Sequence, residues 1–193
     1  MRAEPDGRIA LWPLHLDRLR AGCAAVGFAL DDARVMAVLA RLPRSRVLRA
    51  RLAVDAAGQV ALTHQPLPPN PEVWQVILSD HRLDSGDPWL RVKTSHRPVY
   101  ERARVALPAG VDEAILLNEG GEVCEGTITS LFLRRGGRLL TPPLSCGLLP
   151  GVLRRSLLEA GRAEEARLMP DDLRDGEILM GNALRGLIPA RLL

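Results

Sequence analysis

The sequence is poor in cysteine and in aromatic residues, and it lacks a long apolar segment. Its three cysteines form no C-x-x-C pair, and an odd count in a chain without a signal peptide favours free thiols in a reducing compartment. The longest nearly apolar stretch, residues 23–30, is far below the length of roughly 20 residues that a membrane span needs. We therefore expect a cytoplasmic protein with no disulfide framework and no membrane partner.

Clustered histidines and clustered basic residues are also missing. The four histidines and three cysteines nowhere show metal-ligand spacing. The net charge is +3, but the 26 basic residues are interleaved with 23 acidic ones, and aromatic residues make up only 3% of the chain. Because a nucleic-acid-binding surface usually needs clustered charge and stacking groups, we expect neither a metal site nor a nucleic-acid partner.

Lysine is the rarest of the basic residues. Lys93 is the single lysine among the 26 basic residues of this 193-residue chain. Arginine can replace lysine where only a positive charge is needed, but it does not deprotonate and attack a carbonyl as an amine does. The single lysine has two explanations that fit equally well. Either an amine is required at this position, or a coding bias towards arginine spared one lysine.

Turn and capping residues predict an α+β protein. Residues 7–12 have the pattern of a short strand, Pro13 favours the first turn of a helix that Gly27 ends, and Asp31 can cap a second helix to about Leu42. Further strands are predicted at residues 47–54, 59–62, 73–78, 114–118, 122–125, 130–134 and 138–141, and further helices at residues 98–106 and 151–160.

A turn-forming segment separates two halves of this pattern. Residues 81–89, with Asp-Ser-Gly-Asp-Pro-Trp at their centre, have the composition of a connection between two units. We therefore expect an N-terminal domain at residues 1–83, a linker at 84–92 and a C-terminal domain at 93–193. Strands and helices occur in both halves, which indicates two small mixed α/β domains.

Four motifs follow one another in the second half of the chain. They are Lys93-Thr-Ser-His-Arg, an Asn-x-x-Gly-x-x-x-Glu-Gly hairpin that starts at Asn118, a Thr-Pro-Pro turn at Thr141, and a Pro-Gly helix start at Gly151. In this order they resemble the class IV, fold-type IV pyridoxal phosphate enzymes, which include branched-chain and D-amino-acid aminotransferases and aminodeoxychorismate lyase. The resemblance covers residues 7–193 and implies that pyridoxal 5′-phosphate binds between the two domains.

The resemblance assigns the catalytic lysine and its partner carboxylate. It implies that Lys93 is the Schiff-base lysine, which holds the cofactor and moves protons once it is released by the substrate amine. It also implies that Glu125 pairs with the pyridine nitrogen through a charge-assisted hydrogen bond and so favours the protonated ring. Glu119 and Glu122 are alternatives by residue type alone, but both lie beside the hairpin turn.

The same resemblance implies a set of groups for the cofactor phosphate. The backbone N–H groups of Gly151, Val152 and Leu153 lie at the start of a predicted helix, where unpaired donors and the helix dipole favour an anion. Arg18 matches the arginine of a His-x-x-Arg-Leu motif in the family, and Asn182 falls where the family closes the phosphate site. An ordinary Pro-Gly helix entry and a solvated arginine are the alternative interpretations.

Several positions depart from the pattern of the aminotransferases. His96 and Arg97 follow the lysine where that branch commonly has an Asn-Tyr pair, and this arrangement is closer to the lyase-type Lys-x-x-Asn-Arg pattern. Tyr100 is a candidate to offer a hydroxyl to the cofactor or to pack in the core. Ser130 replaces an asparagine found in many members, and the match to the family begins later than usual.

The leading functional hypothesis is therefore a lyase that resembles aminodeoxychorismate lyase. That enzyme removes pyruvate from 4-amino-4-deoxychorismate and leaves 4-aminobenzoate for folate synthesis. The alternatives are an aminotransferase for a D-amino acid or a branched-chain L-amino acid, and a non-catalytic binding subunit. The resemblance also implies a homodimer that acts on a small amino substrate.

Overall fold

The structure, a computed structural model, describes residues 1–193 and divides into two units, Met1–Pro69 and Asn70–Leu193. The helices are α1 (Trp12–Val26), α2 (Asp32–Leu39), α3 (Pro98–Val105) and α4 (Val152–Glu159). The strands are β1 (Arg2–Ala3), β2 (Leu48–Val54), β3 (Val60–Pro66), β4 (Trp74–Leu83), β5 (Glu113–Asn118), β6 (Val123–Gly126), β7 (Ser130–Arg135), β8 (Arg138–Thr141), β9 (Glu164–Glu165), β10 (Glu177–Asn182) and β11 (Gly186–Leu192). None of the helices has both the length and the apolar character required to cross a lipid bilayer.

The first unit is an antiparallel sheet, β1-β2-β3, with the helices α1 and α2. Two end signals predicted from the sequence are confirmed. Gly27 ends α1 with a φ of 71°, a left-handed conformation that glycine adopts without steric cost. Asp31 caps α2, where its side chain accepts hydrogen bonds from the backbone N–H groups of Ala33 and Arg34.

A compact apolar cluster holds the helices of the first unit to its sheet. Val35 and Leu39 of α2 are buried together with Leu48 and Ala50 of β2. The two strand residues are two positions apart and so lie on the same face of the sheet. This packing gives the first unit a core of its own.

The second unit is an eight-stranded sheet in the order β10-β11-β4-β5-β6-β7-β8-β9. Because β10 also pairs with β7, the strands β10, β11, β4, β5, β6 and β7 close into a ring. The pairs β11–β4 and β4–β5 are parallel, whereas the other pairs within the ring are antiparallel. Ring closure leaves none of these six strands as an edge of the sheet, whereas β9, which pairs with β8 outside the ring, remains an edge strand.

The β5–β6 hairpin lies in the interior of the second unit. All residues of Glu113–Asn118 and of Val123–Gly126 are buried. Ile115, Leu117 and Val123 belong to the largest apolar cluster. Polar side chains on these two strands are therefore placed in a low-dielectric environment, which governs their chemistry.

Two segments differ from the sequence interpretation. Residues 7–12 contain only an isolated bridge between Ile9 and Ala3, and Trp12 already begins α1. Strand β4 continues to Leu83 beyond an irregular register, and its last residues pair with β5. This part of β4 contains polar residues, and its sequence is therefore similar to that of a loop. The two units divide between Pro69 and Asn70 instead of at residues 84–92.

Candidate functional site

Glu125 lies on β6 and is 4% exposed. Its Oε1 accepts a hydrogen bond of 2.6 Å from the Tyr100 hydroxyl and one of 2.9 Å from the Leu149 backbone N–H. Burial raises the pKa of this carboxyl to about 7, although the two donors and the charges of Arg97 and Lys93 act in the opposite direction. A further cationic or hydrogen-donating group beside Glu125 would therefore stabilise the ionised form of this carboxyl.

Lys93 lies between the 3₁₀ helix Pro88–Arg91 and α3, and it is exposed. Its positive charge acts on Glu125 and lowers the pKa of that carboxyl. The structure thus brings the predicted lysine and the predicted carboxylate into one electrostatic environment. Pro98, at the first position of α3, ends the loop that carries the lysine.

Tyr100 donates its hydroxyl hydrogen to Glu125. Burial, followed by the proximity of Glu125, raises the pKa of the Tyr100 hydroxyl, so the phenol stays neutral. The Arg97 guanidinium carbon lies 4.1 Å from the centroid of the tyrosine ring, and its Nη2 donates to the Thr127 carbonyl at 3.0 Å. Tyr100 is therefore a hydrogen-bond partner of Glu125, and the sequence alone could not distinguish this role from the two considered above.

The start of α4 presents backbone donors. Gly151 is the N-cap residue, no side chain caps the helix, and no acidic residue occurs in its first turn. A Cβ atom at Gly151 would lie 2.5 Å from the Ser130 Oγ, so a larger residue here forces the Ser130 side chain or the helix start to move. The first-turn N–H groups, including those of Val152 and Leu153, are of the kind that binds phosphate groups.

Asn182 ends β10 and organises the turn that follows it. Its Oδ1 accepts hydrogen bonds of 3.0 Å from the backbone N–H groups of Leu184 and Arg185. Its Nδ2 donates to the Ile128 carbonyl at 3.2 Å. The side chain thus joins β10 to the β6–β7 connection, and an amide nitrogen carries a second hydrogen for a further acceptor.

Arg18 lies on α1 in the first unit and is half-buried. One helical turn before it, His15 is buried, and its Nε2 lacks a hydrogen-bond partner. Burial, together with the positive charge of Arg18, lowers the pKa of His15 to about 3, so the imidazole is neutral. The other residues predicted for the site belong to the second unit.

Two groups around Glu125 were not predicted from the sequence. The first is the backbone N–H of Leu149, a donor that cannot be predicted from the residue type. The second is Glu113, a fully buried acid that binds the residues just after Glu125. An acidic residue directly before the apolar run of residues 114–117 was the available signal.

The donors and charges fit a pyridoxal phosphate molecule. A buried carboxyl with a pKa of about 7 suits a pyridinium N–H, since the ring cation would favour its ionised form. An uncapped helix start suits a phosphate, and a lysine amine lies near enough to act on the same carboxylate.

A sequence model of the amino-transferase class IV family matches residues 1–193. The chain belongs to the class IV aminotransferase family. This class IV protein is therefore an enzyme that depends on pyridoxal phosphate and acts on small amino substrates, and the expected fold class is confirmed.

Named relatives of this class IV enzyme include lyases and aminotransferases. It is 29% identical over 191 residues to a provisionally named aminodeoxychorismate lyase of Schizosaccharomyces pombe, a match that covers 93% of this chain and 83% of the relative. An aminodeoxychorismate lyase of Bacillus subtilis is 37% identical over 111 residues, covering 51% of this chain and 36% of the relative. The solved structure of a provisionally named amino-acid aminotransferase from Mesorhizobium loti is 44% identical, with a TM-score of 0.93 over 100% of this chain and 97% of that one.

Proposed function

We propose that this class IV enzyme is a lyase that releases pyruvate from 4-amino-4-deoxychorismate and leaves 4-aminobenzoate for folate synthesis. The observation that carries the proposal is the similarity to the Schizosaccharomyces pombe relative over 93% of this chain. The lyase-type pattern after the lysine also supports it. Arg97, the arginine of that pattern, packs on Tyr100, and Tyr100 donates a hydrogen bond to Glu125.

Each residue of the site has a role in this proposal. Lys93 holds the cofactor and moves a proton to and from the substrate, and Glu125 binds the pyridine N–H. When bound, pyridoxal phosphate supplies an electron sink for the negative charge that develops on the substrate.

The remaining predicted residues bind the cofactor phosphate in this proposal. The backbone N–H groups of Gly151, Val152 and Leu153 donate to it, as does the amide of Asn182. Arg18 supplies a positive charge, an assignment that rests on the family motif alone.

The experiment combines cofactor trapping with a product assay. Borohydride reduction in the presence of pyridoxal 5′-phosphate, followed by peptide mapping, should place a stable adduct on Lys93. Because this is the only lysine, the amino terminus is the only competing primary amine. Pyruvate release should be lost in Lys93→Ala and equally in Lys93→Arg, which keeps the charge but not a nucleophilic amine. A trapped adduct without pyruvate release from 4-amino-4-deoxychorismate would contradict the lyase proposal.

A second candidate is an aminotransferase acting on a D-amino acid or a branched-chain L-amino acid. The observation that favours it is the 44% identity to the Mesorhizobium loti protein, which is named as an aminotransferase of amino acids. An amino acid should then change the visible absorption of the loaded enzyme, and a keto acid should reverse the change. A spectrum that responds to neither class of compound argues against transfer of an amino group.

We also propose that the enzyme is a homodimer in the cytoplasm. Sedimentation equilibrium should give twice the chain mass of 21.1 kDa.

The third alternative has its own test. If the protein takes up no pyridoxal phosphate under any condition, a non-catalytic binding subunit becomes the better interpretation.

A further inference from the structure

Glu113 opens β5 and is fully buried, with 0% exposure. Its two carboxylate oxygens accept hydrogen bonds from three consecutive residues. Oε1 accepts from the Thr127 backbone N–H at 3.0 Å and from the Thr127 hydroxyl. Oε2 accepts from the Ile128 backbone N–H at 3.1 Å and from the Thr129 hydroxyl at 2.9 Å.

Residues 126–130, here called the 126–130 loop, follow Glu125 directly and run from the last residue of β6 to the first residue of β7. The loop contacts three other segments that carry predicted cofactor residues. The Thr127 carbonyl accepts from Arg97, close to the lysine, and the Ile128 carbonyl accepts from Asn182. At its end, the Ser130 side chain lies against Gly151 at the start of α4. The conformation of the loop therefore sets the positions of the groups around it.

The side chains of the loop alternate in exposure. Thr127 and Thr129 are 1% and 3% exposed because they point to Glu113, whereas Ile128 between them is 44% exposed. Gly126 completes this packing, since a Cβ atom there would lie 2.9 Å from the Glu113 Cδ. The carboxylate thus determines which face of the loop is turned inward.

A carboxylate, which only accepts hydrogen bonds, suits this role better than an amide does. Its oxygens can therefore serve three backbone N–H groups, those of Ala114, Thr127 and Ile128, together with two threonine hydroxyls. Arg104 supplies a positive charge, with its Nη1 at 3.4 Å from Oε1. A glutamine would direct an N–H₂ group at some of the same donors and leave them without an acceptor.

We propose that Glu113 is a positioning residue, which fixes the 126–130 loop so that the cofactor-binding groups around it are held in place. The proposal rests on the function proposed above for this site. Glu113 touches neither cofactor nor substrate in it, and acts through the loop.

The test is Glu113→Gln, with Glu177→Gln as the matched control. Glu177 is exposed, lies on β10 and pairs with Arg134 at the surface. In the cofactor-free protein, we expect amide hydrogen exchange in the 126–130 loop to become about tenfold faster in Glu113→Gln, with the exchange of β10 unchanged. The dissociation constant for pyridoxal 5′-phosphate should rise about tenfold at a temperature where circular dichroism shows the variant to be folded. The control should change neither quantity.

A second variant covers the case in which Glu113→Gln does not fold. Thr129→Val removes the donor to Oε2 but keeps the carboxylate and the side-chain shape, and should weaken cofactor binding by about threefold while the fold is kept. Cofactor affinity within twofold of the wild type in the folded variants overturns the proposal, as does faster exchange spread evenly over the second unit. If the wild-type protein binds no cofactor, the proposed function fails, whereas exchange in the loop still tests the role of Glu113.

Discussion

The chemistry of Glu125 depends on its low-dielectric surroundings. Two donors, the Tyr100 hydroxyl and the Leu149 N–H, meet at one carboxylate oxygen, yet burial still raises the pKa of the group to about 7. An unfolded chain would ionise the same carboxyl near its usual pKa of 4.5. Between those two values, the cofactor-free folded protein holds a proton that the unfolded chain has lost.

This difference predicts how stability changes with pH. The contribution of Glu125 to stability is fully present below about pH 4.5 and is lost as the pH rises through about 7, since the folded state binds the extra proton. Glu125→Gln should therefore make the cofactor-free protein more stable than the wild type by about 3 kcal/mol at pH 8. The two proteins should be nearly equal at pH 4.5.

Urea unfolding at both pH values measures this difference, and Glu177→Gln, an exposed acid on β10, serves as the control. An equal effect of Glu125→Gln at both pH values would show that the carboxyl titrates normally in the folded protein.

The sequence identifies residues more readily than it identifies their partners. Lys93 and Glu125 stand out because they occur in an ordered series of motifs. The hydrogen bond from Tyr100 to Glu125 joins positions 25 residues apart, and the bonds of Glu113 to the 126–130 loop span 14 to 16 positions. Such contacts depend on the register of β5 and β6, which no local pattern specifies.

At the scale of elements, end signals predict the structure well. Gly27 and Asp31 define the end of α1 and the beginning of α2. The second half of β4 escapes prediction because its register shifts between Leu78 and Arg82, which breaks the regular alternation of apolar residues. Residues near such a register shift therefore have the sequence pattern of a loop even when they form a strand.

The start of α4 gives a prediction at this scale. Gly151→Ala would place a methyl group 2.5 Å from the Ser130 Oγ, so the Ser130 side chain or the first helical turn must shift. We expect the affinity for pyridoxal 5′-phosphate to fall about tenfold, because the backbone donors at a helix start act only at short range. Equilibrium titration of the absorption band measures this loss.

A second-site variant is the control for that experiment. Ser130→Ala removes the oxygen that the new methyl group meets, and the Ser130 Cβ lies 3.9 Å from the added carbon, which is an ordinary contact. The double variant should therefore recover most of the affinity. A double variant as weak as Gly151→Ala would show that the collision with Ser130 is not the cause.

At the scale of the whole molecule, the closure of the second unit could not be predicted. Sequence patterns indicate most of the strands, but they do not show that β10 pairs with both β11 and β7. Long-range pairing of this kind is decided by the fit of buried faces over the entire sheet. The ring is thus a property that local propensity does not encode.

Strand β11 closes the ring and buries Ile188 in the apolar core of the second unit, so a charged residue at this position should destabilise the protein. Ile188 of β11 is 2% exposed and belongs to the main apolar cluster, whereas Arg191 on the same strand is exposed. Ile188→Asp should lower the free energy of unfolding by more than about 3 kcal/mol, because it buries an unpaired carboxyl and leaves a cavity.

Thermal unfolding followed by circular dichroism measures this loss. Arg191→Asp, which introduces the same side chain on the outside of β11, should change the stability by less than about 0.5 kcal/mol. Similar losses for both variants would mean that β11 contributes little to the core.

The pairing of Trp74 with Ala190 has a consequence for synthesis on the ribosome. Strand β4 emerges from the ribosome early, but its partner β11 emerges only after every other strand of the ring. One edge of β4 therefore stays without its native hydrogen bonds throughout most of translation of the second unit. The nascent chain offers this edge to chaperones or to other chains until β11 arrives and occupies it.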